Sequence, residues 1–325
     1  MKRVAFAGLA LALMACSQSG AEAPIADQWV SVAVDVTPVD LGVAEVGRLR
    51  FRGGLALSAR EEMFGGISGL EVLEDGRLLA VTDDADWVEA RLVLDETGAL
   101  VGIADVRMAE LRDGQGEVFQ RKPDGDSEGL AQLPDGRFAV AFEQTQTIHI
   151  YDLNRDGPFG AAQPGPVLAG ASRLPPNAGL EAIAADEDGA LIVGAEGGGR
   201  RTPLWRAPLE SAAPVAAQAR YRTARGFSLT SLDRLPDGGF VALERFYAPI
   251  IGARARITMF TSLAGDIEPV ELALLKPPMP LDNFEGVAAV RMGDGAVRIY
   301  IISDDNFSAR QRTLLYAFDL IESAD

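Results

Sequence analysis

Apolar residues in this chain come in short runs, and a turn signal closes each run. The clearest case is Asp126–Glu143, DSEGLAQLPDGRFAVAFE. Leu130 and Leu133 mark a first short segment, Pro134–Asp135–Gly136 supplies a reversal, and Phe138–Phe142 is a compact run of Phe, Ala and Val. Pro presets φ, Asp caps the turn with its side chain, and Gly accepts positive φ. Runs this short between turn signals predict buried strands rather than helices. The stretch therefore predicts a β-hairpin with a carboxylate at each end.

The same pattern returns four times, as Ile67–Asp84, Leu180–Glu196, Leu229–Glu244 and Phe284–Asp305. Aligning the residue at the start of each first strand gives Ser68, Glu128, Glu181, Thr230 and Glu285, spaced 60, 53, 49 and 55 residues apart. That spacing matches one four-stranded propeller blade per repeat. The linkers hold the remaining strand signals: Arg91–Leu94 and Leu100–Val106, Thr147–Leu153 and Gly165–Leu168, Leu204–Ala207 and Gln218–Tyr221, then Arg256–Phe260 and Val270–Leu275. After the fifth hairpin only Thr313–Leu320 remains, so that blade is one strand short. Near the amino terminus, Trp29–Val36 alternates as a strand and Gly47–Leu57 reads as another. The second is a candidate to complete the last blade and close the ring without open edges. The expected fold is all-β: a single propeller of about five blades over residues 29–325, or six if residues 29–57 organise one more. No segment reads as a long amphipathic helix.

Composition narrows the partners. A formal net charge of −17 excludes nucleic acid as a partner, because phosphate backbones need basic surfaces. The single cysteine, Cys16, excludes an intrachain disulfide or a cysteine metal cluster. Its setting gives it another role. Met1–Lys2–Arg3 is a basic start, and Val4–Leu13 is apolar but too short to span a membrane. Leu13–Met14–Ala15–Cys16 then resembles the processing box of bacterial lipoproteins, which implies cleavage before Cys16 and lipidation of its sulfur. An ordinary cleaved signal peptide is the other reading. Residues 1–15 are thus expected to be a signal peptide, and residues 16–28 a lipidated cysteine with a flexible tether. Ser17 after the cysteine suggests the outer membrane if the host is Gram-negative. The expected product is an exported, envelope-anchored monomer that meets the membrane only through its lipid.

In a propeller, residues repeated at the start of the inner strands form a ring at one mouth of the central channel. That ring would hold Glu128, Glu181 and Glu285, with Asp83, Asp84, Glu143, Glu196, Glu244, Asp304 and Asp305 nearby. Such crowding demands a cation, arginine partners or raised carboxyl pKa values. Oxygen-only ligands point to Ca2+, with Mg2+ not excluded, rather than zinc. The plainer alternative is that these acids accept backbone N–H bonds between blades. Arg245, Arg254 and Arg256 are the nearest basic groups in the sequence, suited either to phosphate oxygens or to ion pairing. Asn283 and Asn306 could add neutral ligands or shape turns. Asp152–Gly157 matches half of a calcium loop but has Gln163 at the twelfth place, so it reads as a polar turn. Gly197–Gly198–Gly199–Arg200–Arg201 lacks the Lys-Ser/Thr of a phosphate loop. The only histidine, His149, lies in an alternating outer strand, and no G-x-S-x-G is present, which sets aside a Ser-His-Asp triad and histidine phosphatase chemistry.

From Phe64 to Leu320 the chain resembles the phytase-like group of bacterial secreted proteins, the family of esterase-like activity of phytase. The resemblance rests on GGISGLE, DSEGLA, NAGLEAIA, the pair Glu244–Arg245, and DNFEGVA followed by ISDDN. It implies a propeller whose acids support phosphoester hydrolysis; Ser68 and Thr230 depart from the acidic column. Two functions follow. One is an anchored, Ca2+-dependent phosphoric ester hydrolase with Glu128, Glu181 and Glu285 at the reaction centre and Arg245 or Arg256 offsetting phosphoryl charge. The other is a non-catalytic envelope propeller that binds a small ligand or protein at the same mouth, with calcium only structural.

Overall fold

All five hairpins are present, and each is the inner half of a blade. The computed structural model describes residues 29–321 except 198 and 250, so the expected signal peptide, Cys16 and the tether lie outside the described residues. The inner strands are Ile67–Val72, Ser127–Gln132, Leu180–Ala185, Ser228–Arg234 and Asn283–Arg291. They pair antiparallel with Arg77–Thr82, Phe138–Phe142, Leu191–Ala195, Phe240–Ala248 and Val297–Asp304 respectively. The turns share one construction. In blade two Leu133 N–H donates to the Arg137 carbonyl, Gly136 N–H donates back to Leu133, and Gly136 takes φ +85°. Asp135 accepts from the Arg137 N–H at 3.0 Å, so each of the three turn residues does what its chemistry favours.

Consecutive inner strands lie side by side, and Asn283–Arg291 of blade five returns to Ile67–Val72 of blade one, closing a five-bladed β-propeller. Closure is covalently discontinuous. Leu49–Ala59 pairs antiparallel with the carboxy-terminal strand Thr313–Leu320, and Val34–Pro38 adds outside it. Residues 29–57 therefore make no sixth blade. The expected strand Trp29–Val36 is in fact two strands. Val30–Ser31 pairs with Leu100–Glu110 of blade one, whereas Val34–Pro38 belongs to blade five. One ladder cannot serve two differently oriented sheets, so the pairing breaks near Val32, which is buried between the blades. The segment thereby clamps the first blade to the last.

Two outer elements also differ from expectation. The fourth strand of blade two is Gln163–Pro164, just before the expected Gly165–Leu168, and Leu168 instead makes a lone parallel bridge to Val215. Gly265–Ile267, from the fourth linker, pairs parallel with Ala219–Tyr221 at the edge of blade three. The other linker signals form the third and fourth strands as expected, including Val270–Leu275. The Asp152–Gly157 turn is a one-turn helix, Leu153–Asp156, with Asp152 capping the Arg155 N–H at 3.0 Å.

Every inner strand carries a β-bulge, and each bulge falls on the aligned column Ser68, Glu128, Glu181, Thr230 and Glu285. A bulge inserts an unpaired residue and turns its side chain out of the regular alternation, here towards the axis. The following residue is Gly69, Gly129, Ala182, Ser231 or Gly286 because the next blade is very close. A Cβ on Gly129 would lie 2.1 Å from the Glu181 carbonyl oxygen, and one on Gly286 would lie 2.8 Å from Leu70. Gly129→Ala is expected to lower unfolding stability by about 1–3 kcal/mol, the usual cost of overpacking, measured by chemical denaturation. An unchanged midpoint would mean that the inner strands are free to separate.

Candidate functional site

Two rings of side chains converge where the inner strands begin. The first is the bulge column. The second comes one position past the bulge-paired residue on the neighbouring strand: Asp83, Glu143, Glu196, Arg245 and Asp304. Their register is common to the blades. The N–H groups of Asp83, Glu143 and Glu196 donate to the carbonyls of Gly66, Asp126 and Gly179, while Arg245 and Asp304 face Ser228 and Asn283. Carboxylate oxygens of Asp126, Glu128 and Glu143 lie within 4.8 Å of one another, and so do those of Glu143, Glu181 and Glu196. Glu143 joins the two groups. At that separation two ionised carboxylates repel by about 3.5 kcal/mol for an effective dielectric of about 20.

Protein partners relieve this crowding unevenly. Arg245 reaches Glu196 at 2.8 Å and Glu285 at 2.9 Å, and it also donates to the Asn283 side chain. Asn283 donates onward to Glu285 at 2.6 Å. On the opposite side Lys122 Nζ lies 2.9 Å from Asp83, 3.2 Å from Asp126 and 3.4 Å from Asp84. Glu143 has the Gly179 N–H at 3.1 Å. Glu181 is 5% exposed, and its Oε2 is buried with no hydrogen-bond partner.

The ionisation of the ring follows from that imbalance. Burial, with Glu285, Asp126 and Asp83 adding repulsion, lifts Glu128 well above the carboxylate range. Burial and then Glu196 do the same to Glu181. Glu143 rises to about 7 through burial, opposed by the Gly179 N–H, and Asp304 rises to about 8 through burial and Glu285. Burial also raises Glu285, with Arg245 opposing it, and raises Asp83 against the pull of Lys122.

The structure gathers Asp83, Glu128, Glu143, Glu181, Glu196, Glu285, Asp304 and Arg245 at this mouth and leaves other expected site residues outside it. Glu244 and Arg256 are the main corrections. Glu244 pairs with Leu229, one residue short of the ring position, so it points to the other face of the strand. It is fully buried there. It accepts from Tyr221 at 2.9 Å, Arg256 at 2.7 Å and the Ala224 N–H at 2.9 Å, and Arg256 also holds Glu271. These two residues tie blade three to blade four, and Arg245 takes the ring place that Glu244 was expected to fill. Asp305 shapes a loop by accepting the Gly66 and Phe307 N–H groups. Asp84 stands at the rim on Lys122. Ser68 donates to the Ser127 carbonyl at 2.6 Å, an inter-blade bond rather than a ligand position. His149 packs against Phe142 with ring centroids 4.7 Å apart, away from the ring. Sequence reasoning missed Asp126 and Lys122. Asp126 opens the DSEGLA stretch and was a visible signal; Lys122 lies in a linker with no counterpart in the other blades.

A cavity of about 680 Å³ opens at the other end of the channel beside the hairpin turns. Its buried acids are already committed, Glu71 to the Gln132 N–H at 2.7 Å and Asp233 to the Ala289 N–H at 2.6 Å. The two buried carboxylate oxygens without a hydrogen-bond partner among the described residues, Asp83 Oδ1 and Glu181 Oε2, lie at the acidic mouth, which is therefore the candidate site.

A five-bladed propeller with an acidic axial mouth is the class that fold and site define. The family model "Phytase-like: Esterase-like activity of phytase" matches residues 62–307, and the chain belongs to that family. No curated protein matches it. Among solved structures it is similar to the catalytic domain of a GH62 α-L-arabinofuranosidase from Coprinopsis cinerea (TM-score 0.52, 12% identity, 84% of this chain and 97% of that one). It is similar also to the α-L-arabinofuranosidase PaAbf62A from Podospora anserina in complex with cellotriose (TM-score 0.51, 12% identity, 84% and 97%). At that identity the likeness concerns the fold alone.

The raised carboxyl pKa values set a direction for pH dependence. Each such group stays protonated in the folded chain where the unfolded chain has ionised, so the folded state binds more protons. Stability contributed by these groups is full at or below the ordinary carboxylate range and is lost as pH rises towards about 8. Without divalent cations, Tm is expected to fall between about pH 5 and about pH 8, and excess calcium is expected to flatten or reverse that slope. A metal-free Tm that climbs through this range would contradict the assignment.

Proposed function

We propose that this chain is a divalent-cation-dependent phosphoric ester hydrolase acting at the acidic mouth. Membership of the phytase-like family supports the reaction class. The observation that carries the reading is Glu181, whose buried, unpartnered oxygen faces a cluster of carboxylates outnumbering their basic partners. The donors are all oxygen, as Ca2+ or Mg2+ prefers, and Glu143, Glu181 and Glu196 have oxygens close enough together to share one ion. These residues fit the cation and would hold it.

When bound, a divalent cation neutralises phosphoryl charge and makes water more acidic. The chain's own residues supply the rest. Arg245 offers a guanidinium fork to phosphoryl oxygens, and Glu285 with Asn283 holds that fork in place. Glu128, partly open at the mouth and with its carboxyl pushed up by burial and its acidic neighbours, donates a proton to the leaving oxygen. Arg256, locked between Glu244 and Glu271, takes no part.

Export and lipid anchoring through Cys16 belong to the same proposal, supported by the basic start and the Leu13–Cys16 box. No helix among the described residues is long and apolar enough to cross a membrane.

The test is a panel of alkyl and aryl phosphomonoesters and phosphodiesters assayed with calcium, with magnesium and with chelator, using the full chain and its Cys16→Ser form. Turnover is expected only with a divalent cation and is expected to drop about 100-fold or more in Glu181→Gln at unchanged fold. Cys16→Ser is expected to keep turnover and lose detergent partitioning. Cation binding without turnover of any phosphoester would instead favour the non-catalytic, ligand-binding propeller.

A further inference from the structure

The mouth holds a positive charge of its own. Lys122 comes from the loop between blades one and two and reaches back into the ring. Its ammonium sits among the carboxylates of Asp83, Asp126 and Asp84, at 2.9, 3.2 and 3.4 Å, and also donates to the Asp83 main-chain carbonyl. Those partners are oxygen donors of three carboxylates and a carbonyl, the set that Ca2+ selects in proteins. Asp126 is 7% exposed in its side chain and is further fixed by Gln144 at 3.0 Å. The loop is placed for this contact: Lys122–Asp124 is a single turn with Pro123 inside it, and Gly125, 2.9 Å from Phe119 at a notional Cβ, fits only as glycine.

The other half of the mouth has no such cation. Arg245 holds Glu196 and Glu285 and its charge acts on Glu181 from a distance, but no side chain hydrogen-bonds the buried oxygen of Glu181. The two halves share Glu143, which belongs to both carboxylate groups.

We infer that Lys122 is a built-in counter-cation standing in for one divalent ion, so that the mouth has two cation positions and only the one at Glu143, Glu181 and Glu196 exchanges with solvent. This inference rests on the cation reading for that second position, and not for its own. A tethered ammonium cannot leave, so its charge stays on Asp83 Oδ2 and Asp126 at any calcium concentration, and Asp83 Oδ1, buried without a partner, is the ligand atom that replacing Lys122 would offer to an ion. It also fixes the loop between blades one and two over the channel in the absence of metal.

The experiment is a calorimetric titration of Ca2+ into the metal-stripped full chain, its Lys122→Met form, and the double form Lys122→Met with Glu181→Gln. Circular dichroism and thermal unfolding of each form check that the propeller is intact. The expected stoichiometry is one ion per chain for the parent, two for Lys122→Met, and one for the double form. One ion for both the parent and Lys122→Met, each folded, overturns the inference and leaves the cation reading standing. No ion in the parent but one in Lys122→Met upholds Lys122 as a stand-in cation but overturns the exchanging position, and with it the cation reading. No ion in either overturns both. Should Lys122→Met fail to fold, Lys122→Arg provides the second measurement. It retains the charge, and the inference expects it to bind one ion, while two ions would overturn it.

Discussion

Mutual repulsion among carboxylates brought out of water around one axis is the constraint on which this protein depends. Five inner strands must begin close together for the ring to close, and each carries a bulge that turns its extra residue towards the centre. Three of those residues are glutamates, and four of the five residues beside them in the second ring, Asp83, Glu143, Glu196 and Asp304, add further acid. Backbone N–H groups, Arg245 and Lys122 neutralise part of this charge, and protonation takes up another part. What remains is a cluster of acids whose oxygens are close enough to hold a metal ion. Folding and function are linked here, because the same packing that closes the propeller creates the charge imbalance.

The remaining polar groups of the channel show how an acid is handled when structure alone is at stake. Glu71 and Asp233 accept N–H groups from the next blade, and Glu244 is held by Tyr221, Ala224 and Arg256. A buried carboxylate costs several kcal/mol unless partnered; Asp233 and Glu244 are partnered on both oxygens and Glu71 on one. Glu181 is not. The contrast within one molecule separates the acids that bind blades together from the acid that awaits a ligand. It also explains why the cavity at the opposite mouth is the weaker candidate, since its acids are already in use.

Much of this was legible in the chain. Turn chemistry and short apolar runs located all five hairpins, and the aligned column Ser68, Glu128, Glu181, Thr230 and Glu285 turned out to be the column of bulges. The column was visible because a bulge and the close approach of the next blade impose both an axial residue and a small neighbour, as at Glu128–Gly129 and Glu285–Gly286. Pairing was less legible. Trp29–Val36 alternates without a break, yet serves two sheets, because alternation records which face is buried and not which strand lies alongside. Glu244 failed by a single residue: it continues a run of acids at strand ends, but strand faces alternate, so register and not composition decides that Arg245 enters the ring. Lys122 was hidden for another reason. Its loop has no repeat partner in the other blades, and its contact with Asp83 spans 39 residues.

The central claim is that the mouth holds one divalent cation between Glu143, Glu181 and Glu196. The most direct measurement is a crystal structure of the full chain grown with calcium and compared with one grown with manganese, read through the anomalous difference map of the manganese crystal. A single strong peak among those three carboxylates, with Lys122 still on Asp83 and Asp126, is the predicted result. A well-ordered mouth with no peak, Glu181 bonded instead to protein or water, would contradict the account.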